Sequence, residues 1–532
     1  MEIIDFVYAQ SGFRGVASIV DKVVFEGIKQ FLTRGGTREL EWNEFRNVFN
    51  DSLYEPDNVA LWFSQKLSEQ EYLRYAQLLR VQSVMKKPSK FILLRTKDLG
   101  IDYISQLTVK KNVVTPYTVL PHTAKSELKV DEFLSMHYYQ LWVKNTVSEK
   151  LANGSKRLVI HLPTGSGKTR TANELLSERI NSGKPGSLII WICHSVELCS
   201  QAESSLVRLL KYRLQRQVNI IPFYGNAKDI SIDATMPNVM YTTYGKLSAY
   251  RKKFSVQDLS NRSTLVVVDE AHKVLAETYS DLVTDLVSLD SDLIGLTATP
   301  GRGNTDNHVM NKALSAYFYS NLVSYMEINA GNLFNILVKE NYLAEIDHEV
   351  LSHSGSFNLD NEDLIKFNKT GFMSSEALGN LSSNFERNDE IIGRISQLIR
   401  QNAKRILVFA SSTEHAKILL ALMGYRKLKA KLVLGETPMQ ERQHIYKDFK
   451  EGELNIIVNF GVLTTGFDEP KLDVCLIARP CSSPVLYSQM VGRALRGEKN
   501  GGNKKNKIID VSDNFIGMPE LDQLFVRWNL NY

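Results

Sequence analysis

The sequence has no long hydrophobic run, and this absence excludes a membrane-spanning protein. No stretch approaches the roughly 18 to 20 consecutive apolar residues that a transmembrane helix needs. Glu2 and Asp5 also interrupt the apolar start that a secretory signal peptide would require. We therefore expect a cytoplasmic protein with no membrane partner.

Cysteine and net charge are also scarce. The four cysteines are Cys193, Cys199, Cys475 and Cys481. They are too widely spaced for a disulfide framework, and no CxxC pair suggests zinc, so we expect small buried hydrophobic residues. A net charge of +5 is too mild to indicate nucleic acid by itself. Local basic clusters occur, for example at 426–431 and 499–507, but such clusters are ordinarily solvated surface unless another feature indicates a polyanion.

The chain of 532 residues is too long for one hydrophobic core. From Leu158 onward, short apolar runs alternate with helical patterns, which is typical of doubly wound parallel sheets. A polar stretch at 353–388 interrupts this alternation, which then resumes. The sequence therefore predicts a smaller α+β N-terminal domain at 1–130, an α/β domain at 131–335 and a second α/β domain at 336–532.

The strand candidates share short, β-branched apolar composition. In the first α/β domain they are 158–161, 188–193, 218–223, 239–242, 265–268 and 293–296, and in the second they are 406–410, 431–434, 456–458, 474–477 and 508–511. Parallel sheets bind ligands at the carboxyl ends of their strands, so a site is expected in the segments that follow these runs.

A glycine-rich segment follows the first strand candidate and precedes a helical pattern. It reads Pro163-Thr164-Gly165-Ser166-Gly167-Lys168-Thr169. Its glycines let backbone amides turn toward nucleotide phosphates, the Lys168 ammonium reaches the β and γ oxygens, and Thr169 holds Mg²⁺. One departure is Leu162, which stands where the generic pattern has glycine. A flexible loop is the alternative, but the strand before it and the helix after it favour a phosphate site.

An acidic pair, Asp269-Glu270, ends the apolar run at 265–268. Asp269 is placed to hold the same Mg²⁺ as Thr169, and Glu270 to orient and deprotonate an attacking water. Standing alone, such a pair would more often be a helix cap. Together with the phosphate loop it predicts an ATP hydrolase in which Lys168, Asp269 and Glu270 are catalytic.

A basic segment, Gln489 to Arg496, lies near the end of the second α/β domain. On a helix, Arg493 and Arg496 would project from one face, and two guanidinium groups suit the spread charge of a phosphoryl-transfer transition state. A plain basic helix surface is the alternative. The second domain has no phosphate loop of its own, and these two arginines would connect it to the nucleotide.

These segments, in this order, resemble the motifs of superfamily 2 helicases and translocases. The matching segments in chain order are 137–140 (the glutamine motif), 163–169 (I), 193–198 (Ia), 242–244, 269–272 (II), 297–300 (III), 409–413 (IV), 461–470 (V) and 489–496 (VI). The resemblance covers about three quarters of the chain and omits the N-terminal region. Motifs V and VI are most similar to RadD-like proteins and restriction-enzyme motor subunits. DEAD-box RNA helicases differ, with arginine in place of Val196 and histidine in place of Gln489.

The resemblance implies two tandem RecA-like domains with ATP between them. The implied ATP contacts, beyond the phosphate loop, are Gln140 at the adenine and Gly466, Asp468, Arg493 and Arg496 from the second domain, with both arginines catalytic. The implied coupling residues are His272, Thr297 and Thr299. The implied nucleic-acid contacts are Ser195, Thr243, Ser412 and Thr464. Because these would be contacts to phosphates, binding should be salt-sensitive and independent of sequence.

The sequence thus predicts an ATP- and Mg²⁺-dependent DNA helicase or translocase, in DNA repair, recombination or anti-phage defence. Residues 1–130 would carry any further substrate or protein partner. Three alternatives stay open: a duplex DNA translocase that does not separate strands, an RNA helicase, and a P-loop switch that binds a protein and uses hydrolysis to time its release.

Overall fold

The structure is a computed structural model, and it describes most of the α/β region and part of the N-terminal region. The described residues are 3–48, 115–121, 136–298, 308–325, 333–354, 362, 363, 365, 367, 373–464, 467–481 and 484–513. Thr299 and Gly466, for which the sequence predicts coupling and ATP contacts, lie outside them.

The described strands, in chain order, are β1 Tyr117–Val119, β2 Arg157–His161, β3 Leu188–Cys193, β4 Val218–Phe223, β5 Asn238–Thr243, β6 Ser263–Asp269, β7 Asp292–Thr297, β8 Leu322–Ser324, β9 Glu345–Leu351, β10 Ile406–Ala410, β11 Ala430–Val433, β12 Ile456–Asn459, β13 Val474–Ala478 and β14 Lys505–Val511. The described α-helices are α1 Ile3–Ile19, α2 Lys22–Leu32, α3 Trp42–Val48, α4 Tyr138–Ala152, α5 Lys168–Ser182, α6 Val196–Arg213, α7 Tyr244–Arg251, α8 Gln257–Arg262, α9 Glu277–Leu286, α10 His308–Tyr317, α11 Leu333–Lys339, α12 Ser375–Ser383, α13 Phe385–Arg400, α14 Thr413–Tyr425, α15 Met439–Glu451 and α16 Pro484–Val491.

The first sheet is parallel except at one edge. Within the described residues its strand order is β1-β4-β5-β3-β6-β7-β2-β8. Strand β1 pairs antiparallel with β4, and the other neighbours are parallel. Its central strands are buried on both faces, which explains their continuous β-branched runs. Strand β1 comes from the region that the sequence assigns to the N-terminal domain.

The second sheet is parallel throughout the described strands, in the order β11-β12-β10-β13-β14-β9. Together, the two sheets confirm the predicted fold class of two doubly wound domains. The sequence missed β9 because this edge strand is polar and half-buried, with charged residues such as Glu345, Asp347 and Glu349 in place of an apolar run.

The prediction that the cysteines are small buried hydrophobic residues is confirmed. All four are buried and free, namely Cys193, Cys199, Cys475 and Cys481. Among the described helices, none combines the length and the apolar character needed to cross a bilayer.

The described N-terminal helices pack on the second α/β domain. Helices α2 and α3 share one hydrophobic core with α13, α14 and the second sheet, and Val24, Ile28 and Phe45 are fully buried in it. Helix α2 lies close to α14 at Gly27, where an added Cβ would lie 2.4 Å from Ile418 Cδ1. Residues 22–48 therefore extend the core of the second domain.

We expect Phe45→Ala to lower the free energy of unfolding by about 3–5 kcal/mol, because it leaves a cavity among Phe13, Phe25 and Trp42. Chemical denaturation measures this change. Leu289→Ala is the matched control, since Leu289 is 96% exposed and its truncation should cost no more than about 0.5 kcal/mol. An equally small effect at Phe45 would contradict the packing of these helices on the second domain.

Candidate active site

Residues 163–167 form a tight loop between β2 and α5, and Lys168 and Thr169 are the first residues of that helix. Gly165 and Gly167 have φ of 87° and 88°, in the left-handed region that favours glycine, and Gly167 caps the start of α5. The Ser166 hydroxyl donates to the Pro163 carbonyl at 2.7 Å. A loop of this shape at a helix N-terminus can direct backbone amides toward an anion.

Two side chains of helix α4 hold the phosphate loop through hydrogen bonds. The Tyr139 hydroxyl and the Gln140 side-chain amide donate to the Ser166 carbonyl at 2.7 and 2.9 Å, and Gln140 Oε1 accepts from the His137 backbone at 3.1 Å. The Gln140 amide is thus buried against the loop, where a Cβ on Gly167 would lie 2.3 Å from its nitrogen. Its contact with adenine stays a prediction. The sequence did not indicate the role of Tyr139, because its aromatic side chain has no distinctive spacing.

Lys168 lies among the other charged residues that are predicted to be catalytic, which are Asp269, Glu270, Arg493 and Arg496. Its ammonium donates to the carbonyls of Leu162 and Pro163 at 3.0 and 3.2 Å. Burial lowers the pKa of Lys168 to about 8, and the negative charges of Glu270 and Asp269 oppose this shift. The positive charges of both predicted arginines also lower this pKa, so the charged residues predicted to be catalytic share one electrostatic environment.

The acidic pair stands at the carboxyl end of β6. Burial and the neighbouring charge of Glu270 raise the pKa of the Asp269 carboxyl. Glu270 itself has a φ of 53° and a ψ of 57°, a left-handed conformation that costs a non-glycine residue on the order of 1–2 kcal/mol. Its carboxylate lies 3.4 Å from Nδ1 of the buried His272. The backbone turn directs the two adjacent carboxylates to different positions.

The donor set at this edge fits Mg²⁺. The carboxylates of Asp269 and Glu270 both act on the charge of Lys168, and Thr169 follows Lys168 in the first turn of α5. Across the part of the chain that the structure describes, no group of three or more His, Cys, Asp or Glu side chains could hold a metal ion. Mg²⁺ does not need such a cage, since it commonly binds one or two protein groups together with waters and phosphate oxygens.

The two arginines of 489–496 converge on this site, but not from one helix. Helix α16 ends at Val491, Arg493 lies in a following 3₁₀ turn, and Arg496 forms an isolated antiparallel bridge with Leu343. The prediction of a shared helix face is therefore wrong. The pairing with Leu343 extends the backbone and turns Arg496 toward the phosphate loop.

Arg496 joins the two domains. Its guanidinium donates to the Gly165 carbonyl in the loop and to Asp468 Oδ1, the latter at 3.1 Å from Nε and 3.0 Å from Nη2. The charge of Arg496 holds the pKa of the Asp468 carboxyl below its usual value. Arg493 is directed toward the same region and donates to the carbonyls of Phe467 and Gln489. Arg493 is also close enough to Lys168 and Glu270 for their charges to interact with its own.

A second contact between the domains is steric. A Cβ added to Gly492 would lie 2.2 Å from Thr164 Cγ2 and 2.7 Å from Thr164 Cβ. Only glycine therefore permits this approach between the 3₁₀ turn and the phosphate loop.

The residues predicted to contact nucleic acid stand mostly at helix starts. The hydroxyls of Ser195, Thr243 and Ser412 cap α6, α7 and α14, accepting from backbone amides at 3.3, 3.2 and 3.0 Å. Ser412 departs from the prediction, because its hydroxyl is buried and lies 3.2 Å from Ser382 Oγ. Thr464 is half-buried after β12. Helix starts of this kind attract phosphates through their amides.

Comparisons with known proteins find helicase and restriction-enzyme families and relatives. The family "Type III restriction enzyme, res subunit" matches residues 133–302, and "Helicase conserved C-terminal domain" matches residues 390–498. IRC3 of Saccharomyces cerevisiae, named as an ATP-dependent helicase, is 24% identical over 369 residues, which are 67% of this chain and 49% of that protein. The DNA 3'-5' translocase XPB2 of Sulfurisphaera tokodaii is 25% identical over 367 residues, 64% of this chain and 75% of that protein.

Among solved structures, the ATP-dependent Type ISP restriction-modification enzyme LlaBIII bound to DNA aligns with a TM-score of 0.51 and 16% identity. The alignment covers 75% of this chain and 29% of that one, and it shows a shared fold. The match to IRC3 spans about half of the length of the yeast protein.

We expect Gly492→Ala to lower the turnover of ATP, the substrate that the sequence predicts, by about tenfold or more, because the added methyl group collides with Thr164. Steady-state kinetics and equilibrium binding of a fluorescent ATP analogue measure the two effects separately. Binding should change less than turnover, since the methyl group is added to the second domain and meets only the Thr164 side chain of the phosphate loop. Gly424→Ala is the control, since its Cβ would meet no atom within 4 Å. Normal turnover in Gly492→Ala would show that the two domains need not approach this closely.

Proposed function

Since this chain belongs to the superfamily 2 helicases and translocases, we propose that it hydrolyses ATP between its two α/β domains and uses the cycle to move along DNA. The observation that carries the proposal is the contact of Arg496, from the second domain, with the Gly165 carbonyl in the phosphate loop of the first. Because of this contact, the candidate site is formed by residues of both domains. Chemistry at such a site can therefore change how the domains are arranged.

In the proposed reaction, the loop amides and the Lys168 ammonium bind the β and γ phosphates. Glu270 accepts a proton from the attacking water, whose oxygen bonds to the γ-phosphorus as the bond to the β-phosphate oxygen breaks and ADP leaves. Asp269 and Thr169 would hold Mg²⁺, which supplies positive charge to the phosphates when bound. Arg493 and Arg496 stabilise the negative charge that spreads over the transferred group.

In the proposed cycle, the two domains move relative to each other when the γ-phosphate is lost. While the γ-phosphate is bound next to the loop, it is a strong anionic partner for Arg496. This pairing stabilises the closed arrangement of the two domains. After hydrolysis and release of phosphate, that partner is gone and the second domain separates more easily. His272, 3.4 Å from Glu270, and the buried Thr297 at the end of β7 are the described residues proposed to transmit this change.

DNA is the proposed polymer. The name of the XPB2 relative supports DNA, as does the match of residues 133–302 to a restriction-enzyme subunit. The same matches favour a role in genome maintenance or defence. A duplex translocase that does not separate strands is the second candidate, because XPB2 is itself named as a translocase. Helix starts at Ser195 and Thr243 would contact the backbone of the polymer through their amides.

We expect DNA to raise the ATPase rate by about tenfold or more, because polymer bound across both domains stabilises their closed arrangement. Initial rates should be compared with single-stranded DNA, duplex DNA, RNA and no polymer. Stimulation by duplex without strand separation would favour the translocase, and stimulation by RNA alone would overturn the assignment to DNA. If no polymer raised turnover, the protein would not be a motor.

We expect Glu270→Gln to lower turnover by about 10²–10⁴-fold while leaving ATP affinity nearly unchanged, because glutamine keeps the shape but cannot take the proton. Single-turnover hydrolysis and ATP binding measure these two quantities. The matched control is Glu277→Gln, an exposed glutamate in the first turn of α9, which should be as active as the parent protein. Normal hydrolysis by Glu270→Gln would disprove its role as the base.

A further inference from the structure

We infer that the Arg479 guanidinium, which lies over the ring of Phe460, binds a backbone phosphate of nucleic acid in the second domain. Arg479 follows β13 and Phe460 follows β12, so both stand at the carboxyl edge of the second sheet. Arg496 reaches the phosphate loop from the opposite edge, where β9 begins. The inference rests on the proposed function in taking nucleic acid as the polymer, and it adds a residue that lies outside all of the motif segments.

The two side chains meet over the end of β10. Strand β10 lies between β12 and β13, and its last residue, Ala410, is opposite Ala478 of β13. Strands β12 and β13 are therefore about 10 Å apart at the usual spacing of neighbouring strands. The Arg479 Cζ atom lies only 5.6 Å from the centroid of the Phe460 ring. The guanidinium is thus held across the end of β10 by an aromatic ring from the next strand.

The Arg479 guanidinium has no anionic partner in the part of the chain that the structure describes. Arg479 is half-buried, and burial lowers its pKa, which only the neighbouring Cys481 opposes. No described carboxylate contributes to this balance. Asp513, which follows the neighbouring strand β14, is already engaged by the Nε and Nη2 donors of Arg387. The positive charge of Arg479 is therefore uncompensated.

The other arginines of the second domain that are buried or half-buried behave differently. Among those that the structure describes, five pair with a carboxylate, namely Arg387, Arg394, Arg405, Arg442 and Arg496. Arg493 donates to the carbonyls of Phe467 and Gln489. A partly desolvated cation without such a partner costs free energy. Exceptions of this kind are expected mainly at functional sites, so Arg479 is better explained by a ligand than by the fold.

A phosphate suits this guanidinium. Packing over Phe460 uses one face of the guanidinium plane and leaves the N–H groups at its edge available. A guanidinium held in one orientation can donate two parallel hydrogen bonds to a single phosphate. The same packing covers one face of the Phe460 ring, so that face is not available to stack on a base. Binding through Arg479 should therefore not depend on base sequence.

The carboxyl edge of the second sheet adjoins the helix start that is proposed to bind the polymer in the first domain. Arg442, near the start of α15, donates from Nη1 to Glu197 Oε1 at 2.6 Å, and Glu197 lies in the first turn of α6, which Ser195 caps. Nη2 of Arg442 donates to the carbonyl of Leu434, which follows β11, at 3.0 Å. A polymer strand can therefore pass from Ser195 across the ends of β11, β12 and β10 to Arg479.

The test is the binding of DNA by the full chain carrying Arg479→Gln, measured without ATP over a range of salt concentrations. The slope of log K against log salt should fall in magnitude by about 0.9 with duplex DNA, or by about 0.7 with single-stranded DNA, because one phosphate contact is lost. At about 0.1 M salt, affinity should fall by about tenfold or more. Arg479→Lys keeps the charge, so its slope should equal that of the parent protein while part of the affinity is lost with the paired hydrogen bonds.

The matched control is Arg157→Gln. Arg157 also lies over aromatic rings, 5.2 and 5.1 Å from the centroids of Tyr317 and Tyr319, but it is at the start of β2, on the amino-terminal edge of the first sheet. Its slope and its affinity should match those of the parent protein. An unchanged slope in Arg479→Gln, or an equal fall in Arg157→Gln, would overturn the inference.

Phe460→Leu tests whether the ring acts through the arginine or by stacking on a base. If it orients Arg479, this substitution should weaken DNA binding by about two- to fivefold in the parent protein and have no further effect in Arg479→Gln. No loss in the parent protein, or an equal loss in both backgrounds, would overturn the assignment to a phosphate.

The proposed function is tested separately by the effect of DNA on the ATPase of the parent protein. An ATPase that no polymer stimulates would count against the proposed function. Normal stimulation together with an unchanged salt slope in Arg479→Gln would count against this inference alone, because the salt slopes are measured without ATP.

Discussion

The site depends on one constraint, which is that parallel strands present all of their carboxyl ends at the same edge of a sheet. In the first sheet this brings together the loop after β2 and the acidic pair after β6, although about a hundred residues separate them in the chain. The strands of the second sheet likewise begin at one shared edge, and Arg496 lies there, paired with Leu343 just before β9 and bonded through its carbonyl to Asn503 just before β14. A catalytic arrangement then needs only that the carboxyl edge of the first sheet faces the amino edge of the second.

Burial makes the charges at this interface strongly dependent on one another. Desolvation lowers the pKa of Lys168 and raises that of Asp269, and each group favours the charged form of the other. The left-handed backbone at Glu270 adds local strain, which surrounding packing must offset. Charge and strain are thus concentrated where the proposed chemistry occurs, whereas the rest of the first sheet is apolar and closely packed.

The sequence predicted the parts of the fold that burial dictates. Strands β3, β4 and β10 match their predicted bounds because their apolar runs are buried on both faces, and the phosphate loop and acidic pair follow directly from such strands. The polar edge strand β9 carries no such pattern. Helical periodicity also could not reveal that α2 and α3 pack on the second domain, since it identifies an apolar face but not its partner. Nor could it foresee the end of α16 before Arg493, which depends on pairing with a distant segment.

The Gly165 carbonyl and the Asp468 carboxylate together occupy the Nε, Nη1 and Nη2 donors of Arg496. These contacts use three of the five N–H groups of the guanidinium. In the proposed reaction, a γ-phosphate that takes the place of the peptide oxygen exchanges one acceptor for a stronger one. The free energy of that exchange is smaller than that of a bare ion pair, which would keep the contact between the domains easily reversible from one turnover to the next.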